Sequence, residues 1–256
     1  MRFALALTVA FALALACTTP PPPTTMKTPF THYLALGDSI SIDLYPAADA
    51  ERRFAGKFSS DELGAVSLLV KNDDRLWPEF RGRELGLPAT DLTADGATTE
   101  SLVRQVEHIG KSDAPTLVTI TAGGNDLLGY IGSRGPNPSP QIEARLRTAI
   151  ARVLEKRPNA TVLVGTVYDP SDGTNVLDGR GRLDREAEWL ADYNDRIRKL
   201  VHTDKRLKLA DIHKHFLGHG LTAPLEERWY LRESIIEPSA RGASEVRRVW
   251  LEALGC

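Results

Sequence analysis

Four short apolar runs rich in branched residues, HYLAL at 32–36, TLVTITA at 116–122, TVLVGT at 161–166 and RLKLA at 206–210, limit most strongly what this chain can fold into. Short runs of this kind predict strands that are covered on both faces. Between them the apolar spacing changes to three and four residues. Ile142, Leu146, Ala149, Ile150, Val153 and Leu154 share one helical face, and so do Ala187, Leu190, Tyr193, Ile197, Leu200 and Val201. Val246, Val249, Trp250, Ala253 and Leu254 repeat the pattern and predict a closing helix. Strands alternating with helices imply βαβ crossovers, hence an α/β fold with a mostly parallel central sheet flanked by helices. Active sites in such sheets gather at the carboxyl ends of the strands. The segment from Pro46 to Pro78 holds neither period and reads as a long loop laid over the sheet.

The amino terminus is of another kind. Arg2 precedes an uncharged, mostly apolar run from Phe3 to Ala16. That run is shorter than the roughly 20 residues a bilayer-spanning helix needs, but it suits the core of a secretory signal. Export to the periplasm or cell surface is the expectation. Ala14 and Ala16 followed by Cys17 resemble the cleavage box of bacterial lipoproteins, in which the cysteine carries lipid; the alternative is plain secretion with cleavage nearby. Residues 18–31 contain TTPPPPTTMKTP, a stiff spacer of polyproline type that would hold a domain at 32–256 away from a membrane. Cys256 is the one other cysteine, so an internal disulfide framework is excluded. With 32 basic and 34 acidic side chains the chain lacks the basic excess that nucleic-acid phosphates demand, which removes nucleic acid as a partner.

Three segments follow predicted strands and carry chemistry. LALGDSISID (34–43) places Ser39 just after the first strand, where backbone N–H groups of a following helix would stabilise a negative oxygen. TADGATTESL (93–102) sets Gly96 between a short strand and a helix beginning near Thr99, and TAGGNDLL (121–128) sets Asn125 after the strand ending near Ala122. Each alone makes a serviceable turn or helix cap. Together they offer a hydroxyl, a bare glycine N–H and an amide that could meet at one oxyanion.

These blocks, in this order across roughly residues 32–254, resemble the SGNH hydrolases, also called the GDSL esterase/lipase family. The resemblance implies a three-layer α/β/α sandwich and no metal or other cofactor. It also implies Ser39 as nucleophile, with the Ser39 N–H, the Gly96 N–H and the Asn125 side chain as oxyanion donors. The fourth block departs from the family. Its pattern is D-x-x-H-P, whereas the chain aligned on Pro238 and Gly242 reads Ser234, Ile235, Ile236 and Glu237. The orienting aspartate and the histidine base are both missing.

A serine needs a neighbour that takes its proton and returns it to the leaving group. Imidazole does this near neutral pH, while a carboxylate near 4.3 accepts reluctantly unless burial raises it. Three of the six histidines, His213, His215 and His219, lie in DIHKHFLGHG after the last predicted strand. His219, between Gly218 and Gly220, is the expected base, with Glu237 holding its ring. A competing reading gives Asp211, His213, His215 and His219 to zinc. The expected activity is that of an exported serine esterase, cleaving an acyl or acetyl ester of a carbohydrate or lipid through an acyl-enzyme. Its membrane contact would run through lipid on Cys17. The alternative is a binding protein that keeps the fold and has lost the base.

Overall fold

A computed structural model describes residues 26–59, 63–177 and 179–256. The expected signal, Cys17 and the start of the spacer lie outside the described residues. The end of the spacer lies against the domain: the Met26 N–H donates to the Glu84 carbonyl at 2.9 Å, the Thr31 N–H to that of Pro115 at 2.9 Å, and Met26 and Phe30 pack on the core.

The strands are β1 (His32–Gly37), β2 (Ala89–Asp91), β3 (Thr116–Thr121), β4 (Ala160–Gly165), β5 (Val176–Leu177), β6 (Gly181–Arg182) and β7 (Leu207–Ala210). Five of them form a parallel sheet in the order β2-β1-β3-β4-β7, and β5 with β6 makes a small antiparallel hairpin. The helices are α1 (Leu44–Arg53), α2 (Ala65–Val70), α3 (Thr99–Glu107), α4 (Gly124–Gly129), α5 (Ser139–Lys156), α6 (Asp184–Leu200), α7 (Ile212–Phe216) and α8 (Ala240–Leu254).

Side chains of a strand alternate between faces, so the central strands feed two separate cores. Tyr33, Ala35, Leu117 and Leu163 point to one, packed by α1, α2 and α8; Leu34, Leu36, Val118, Ile120, Val162 and Val164 point to the other, packed by α3, α5 and α6. The result is the three-layer α/β/α sandwich. The chain runs outward from β1 to β2 and then crosses back to β3 on the other side of β1. That reversal opens a crevice beyond the carboxyl ends of β1 and β3, where ligands bind in open α/β sheets.

The segment expected to be a loop carries α1 and α2. Their apolar faces are too short for a helical period to be legible, and α8 supplies the surface that orders them. Arg247 of α8, buried, donates to the Leu68 carbonyl at 3.2 Å and to Asn72 Oδ1 at 2.7 Å, with its guanidinium 3.8 Å from the Phe80 ring centroid. Those partners compensate a charge whose pKa is lowered to about 9, chiefly by burial.

Candidate active site

Ser39 follows β1 at its carboxyl end. Gly37 adopts φ +122°, and a Cβ there would fall 1.8 Å from the Thr121 carbonyl oxygen, so glycine is required for β1 to close on β3. Gln105 of α3 grips the same residue, accepting from its N–H at 2.8 Å and donating to its carbonyl at 2.9 Å. No helix starts at the serine. The chain makes a tight turn, with the Ser41 N–H on the Asp38 carbonyl at 3.2 Å and the Ile42 N–H on that of Ser39 at 3.1 Å, and α1 begins only at Leu44. The help expected from a helix terminus therefore comes down to the turn's own amides. Among the described residues the Ser39 N–H has no acceptor.

The other two donors are fixed to each other. Asp126, buried, accepts from the Thr99 N–H at 2.7 Å, from Thr99 Oγ1 at 2.8 Å and from Arg145 at 2.9 Å, which docks the start of α3 on α4. Asn125 Nδ2 donates to the Ala97 carbonyl at 3.0 Å, directly after Gly96. An amide nitrogen carries two hydrogens, so one is left over. Gly96 turns at φ +67°, and its N–H also has no acceptor among the described residues. Three donors thus stay unclaimed beyond β1, β2 and β3.

Glu237 arrives from the far end of the chain. The strip from Tyr230 to Pro238 is closed by a β-bridge between those two residues, by the Leu231 N–H on the Glu237 carbonyl at 2.9 Å and by the Tyr168 hydroxyl on the Ile236 carbonyl at 2.5 Å. Ser239 then caps α8, accepting from the Gly242 N–H at 3.1 Å. The strip delivers the Glu237 carboxyl into the pocket of Ser39; burial, the larger effect, and Asp95 push its pKa up to about 7, against a lowering by the Ser39 hydroxyl. Its Oε2 is buried without a hydrogen-bond partner. Asp38 is buried beside it and also rises to about 7, through burial first and through the Glu237 charge in addition.

The structure brings Ser39, Asn125 and Glu237 into one pocket and leaves His219 out of it. The His219 ring is stacked flat on Trp229, 3.6 Å between centroids. A file of rings leads from Trp229 through Phe216 to Tyr168, and of these Tyr168 lines the pocket. The glycines flanking His219 serve another purpose, because Asp172 gathers the N–H groups of Gly218, Gly220 and Thr222 at 2.9–3.1 Å and so pins the loop away from the serine. The zinc set is dispersed as well. Asp211 caps α7 and pairs with Arg198, His215 bonds Glu245 at 2.9 Å, and His219 faces Trp229. Among the described residues no group of three or more His, Cys, Asp or Glu could hold a metal ion.

The pocket is an open cleft whose roughly 840 Å³ outline includes open solvent. Ser39, Asp38, Asn125 and Glu237 line it together with aliphatic walls: Leu127, Leu128 and Ile131 from α4 and the turn after it, Leu177 from the hairpin, Leu183, Ala187 and Leu190 from α6. Polar residues that also line it are engaged locally. Asp169 accepts from Ser171 and Gly173, and Asn175 donates to Asp184. Sequence reasoning passed over this wall, and over Asp38 and Gln105, because nothing in their local pattern separates them from ordinary turn and helix residues. The Leu127-Leu128 pair just beyond Asn125-Asp126 is the one hint a sequence offers.

A three-layer parallel sandwich that sets a serine beside unclaimed amide donors at the switch of its strand order is a geometry an ester hydrolase can use. The chain belongs to the GDSL-like lipase/acylhydrolase family, whose model matches residues 35–243. It is an SGNH-type hydrolase of the ester-cleaving kind. Among solved structures it is similar in fold to a catalytic mutant, histidine to alanine, of an acetylxylan esterase from Geobacillus stearothermophilus (TM-score 0.63, 19% identity, 90% of this chain and 97% of that one). It is similar also to a putative GDSL-like lipase from Parabacteroides merdae (0.62, 18%, 91% and 99%) and to an extracellular lipase from Streptomyces rimosus (0.56, 21%, 87% and 99%). A search of curated proteins finds no match.

Proposed function

We propose that the chain hydrolyses esters of aliphatic acids through an acyl-enzyme on Ser39. The observation that carries this reading is the cleft: its reacting end holds Ser39 and Asn125, and its walls are hydrocarbon. An acetyl group would leave those walls unused, and a sugar would find the polar lining already bonded within its own loop. Ser39 Oγ attacks the ester carbonyl carbon, and the oxyanion takes the N–H groups of Ser39 and Gly96 and the spare Asn125 hydrogen. Collapse expels the alcohol, and water then releases the acid from Ser39.

The test is a series of p-nitrophenyl esters from acetyl to octanoyl. Each methylene buried against the wall is worth up to ~0.8 kcal/mol, so kcat/KM should climb by up to about fourfold per carbon until the cleft is full. Ser39→Ala should abolish turnover along the whole series. A maximum at acetyl would refute the aliphatic assignment.

The reading includes export, supported by the apolar run Phe3–Ala16, and tethering through Cys17. No described helix is long and apolar enough to cross a membrane. Metabolic labelling with an alkyne fatty acid should mark the wild type and not Cys17→Ser. Equal labelling of both would rule the tether out.

A further inference from the structure

We propose that Glu237 is itself the general base of this enzyme, taking the serine proton directly with no histidine between them. The inference rests on Ser39 being the nucleophile. Three observations on the molecule lead to it. Glu237 stands in the position where the family's fourth block carries its histidine, and it lines the same pocket as Ser39. No histidine lines that pocket. All six are accounted for elsewhere: His32 bonds Thr90 at the amino end of the sheet, His108 and His202 close α3 and α6, His213 sits at the start of α7, His215 bonds Glu245 and His219 stacks on Trp229. The buried Glu237 Oε2 has no partner, which leaves it a free acceptor inside the protein, a costly arrangement unless a reacting group uses it.

The surroundings make a carboxyl suitable for the task. Facing Glu237 are Asp38 and Ser39 from the turn after β1, Tyr45 of α1 bonded at 2.7 Å to Asp95 of the turn before Gly96, and Tyr168 after β4. No cation is among them. Burial, and in smaller part the Asp95 charge, disfavour the charged form and raise the pKa to about 7, where a carboxylate is basic enough to accept a proton and a carboxylic acid still acidic enough to return it. Asp38 is likewise raised to about 7, by burial first and by the Glu237 charge in addition.

The steps balance. The Ser39 O–H bond breaks as Oγ bonds to the carbonyl carbon, and the proton passes to the Glu237 carboxylate. When the tetrahedral intermediate collapses, the carbon–oxygen bond to the alcohol breaks and that oxygen takes the proton back from Glu237. In deacylation a water gives its proton to Glu237 while its oxygen bonds the acyl carbon, and Ser39 leaves with the proton restored.

The test measures kcat on a hexanoyl ester and the rate of fluorophosphonate labelling from pH 5 to 9, with thermal unfolding as the check on folding. Wild-type activity should rise with pH through about 7. Glu237→Gln should lose 10²- to 10⁴-fold in kcat and label correspondingly slowly, while folding normally. His219→Ala should stay within about threefold of wild type. Glu237→His should recover part of the loss and shift the midpoint toward the ~6.5 of an imidazole. Wild-type turnover in Glu237→Gln, or a flat wild-type profile, overturns the proposal. Activity surviving in Ser39→Ala instead sinks the acyl-enzyme reading underneath it, so the two failures are told apart.

Discussion

The two sides of the site are built differently. On one side, Ser39, Gly96 and Asn125 sit on turns fixed by main-chain geometry: a glycine that no side chain could replace at 37, the Gln105 clamp, and the Asp126 bonds to Thr99 and Arg145. On the other side, Glu237 hangs from a strip held by a β-bridge, a few carbonyl contacts and the Tyr168 hydroxyl. The first side must present N–H groups at fixed places, and only particular backbone shapes do that. The second must present one proton acceptor, and any side chain of suitable length and pKa serves. The rigid side keeps recognisable residues, and the strip tolerates a change of chemistry.

Three experiments would break or sharpen that contrast. Asn125→Ala removes an oxyanion donor without touching the nucleophile, and kcat should fall about 10²- to 10³-fold with KM changed little. A loss confined to KM would mean that the amide only binds substrate. Next in size is Asp126→Ala, which strips a buried carboxylate from the Thr99 N–H and Arg145. Chemical denaturation should show about 2–3 kcal/mol less stability, moderated because Arg145 remains partly exposed. An unchanged midpoint would show that this side is not rigid for the reason given. The smallest effect concerns Glu237. Its folded pKa is raised from 4.5 to about 7, so it favours folding only while protonated, fully so below about pH 4.5, and that contribution is lost as pH rises through 7. Glu237→Gln, permanently neutral, should match the wild-type Tm at pH 4 and exceed it by a few degrees at pH 8. The reverse order would place the carboxyl in a setting that stabilises its charge.

Much of this was legible in the chain. The strands at 32–36, 116–122, 161–166 and 206–210 appear within a residue or so of their expected bounds, because a run buried on both faces admits few other arrangements. The glycine-bearing turns were legible because their positive φ angles admit few other residues. α1 and α2 were not, since both pack on α8 from the far end of the chain, whose Arg247 reaches the Leu68 carbonyl. His219 looked suited to catalysis because glycines flank it, yet those glycines fit the loop to the Asp172 carboxylate, a contact 46 or more residues away in sequence.

By itself the sequence determined a parallel sheet flanked by helices and the edge of that sheet where Ser39, Gly96 and Asn125 stand, since these follow from local periodicity and from backbone shapes that few residues permit. Which side chain stands next to the serine was decided by tertiary structure. The closing of the 230–238 strip onto Tyr168 and the pinning of the 218–222 loop by Asp172 are long-range contacts. Their outcome, a buried carboxyl at the hydroxyl and an imidazole laid against Trp229, depends on desolvation and packing that no short stretch of residues encodes.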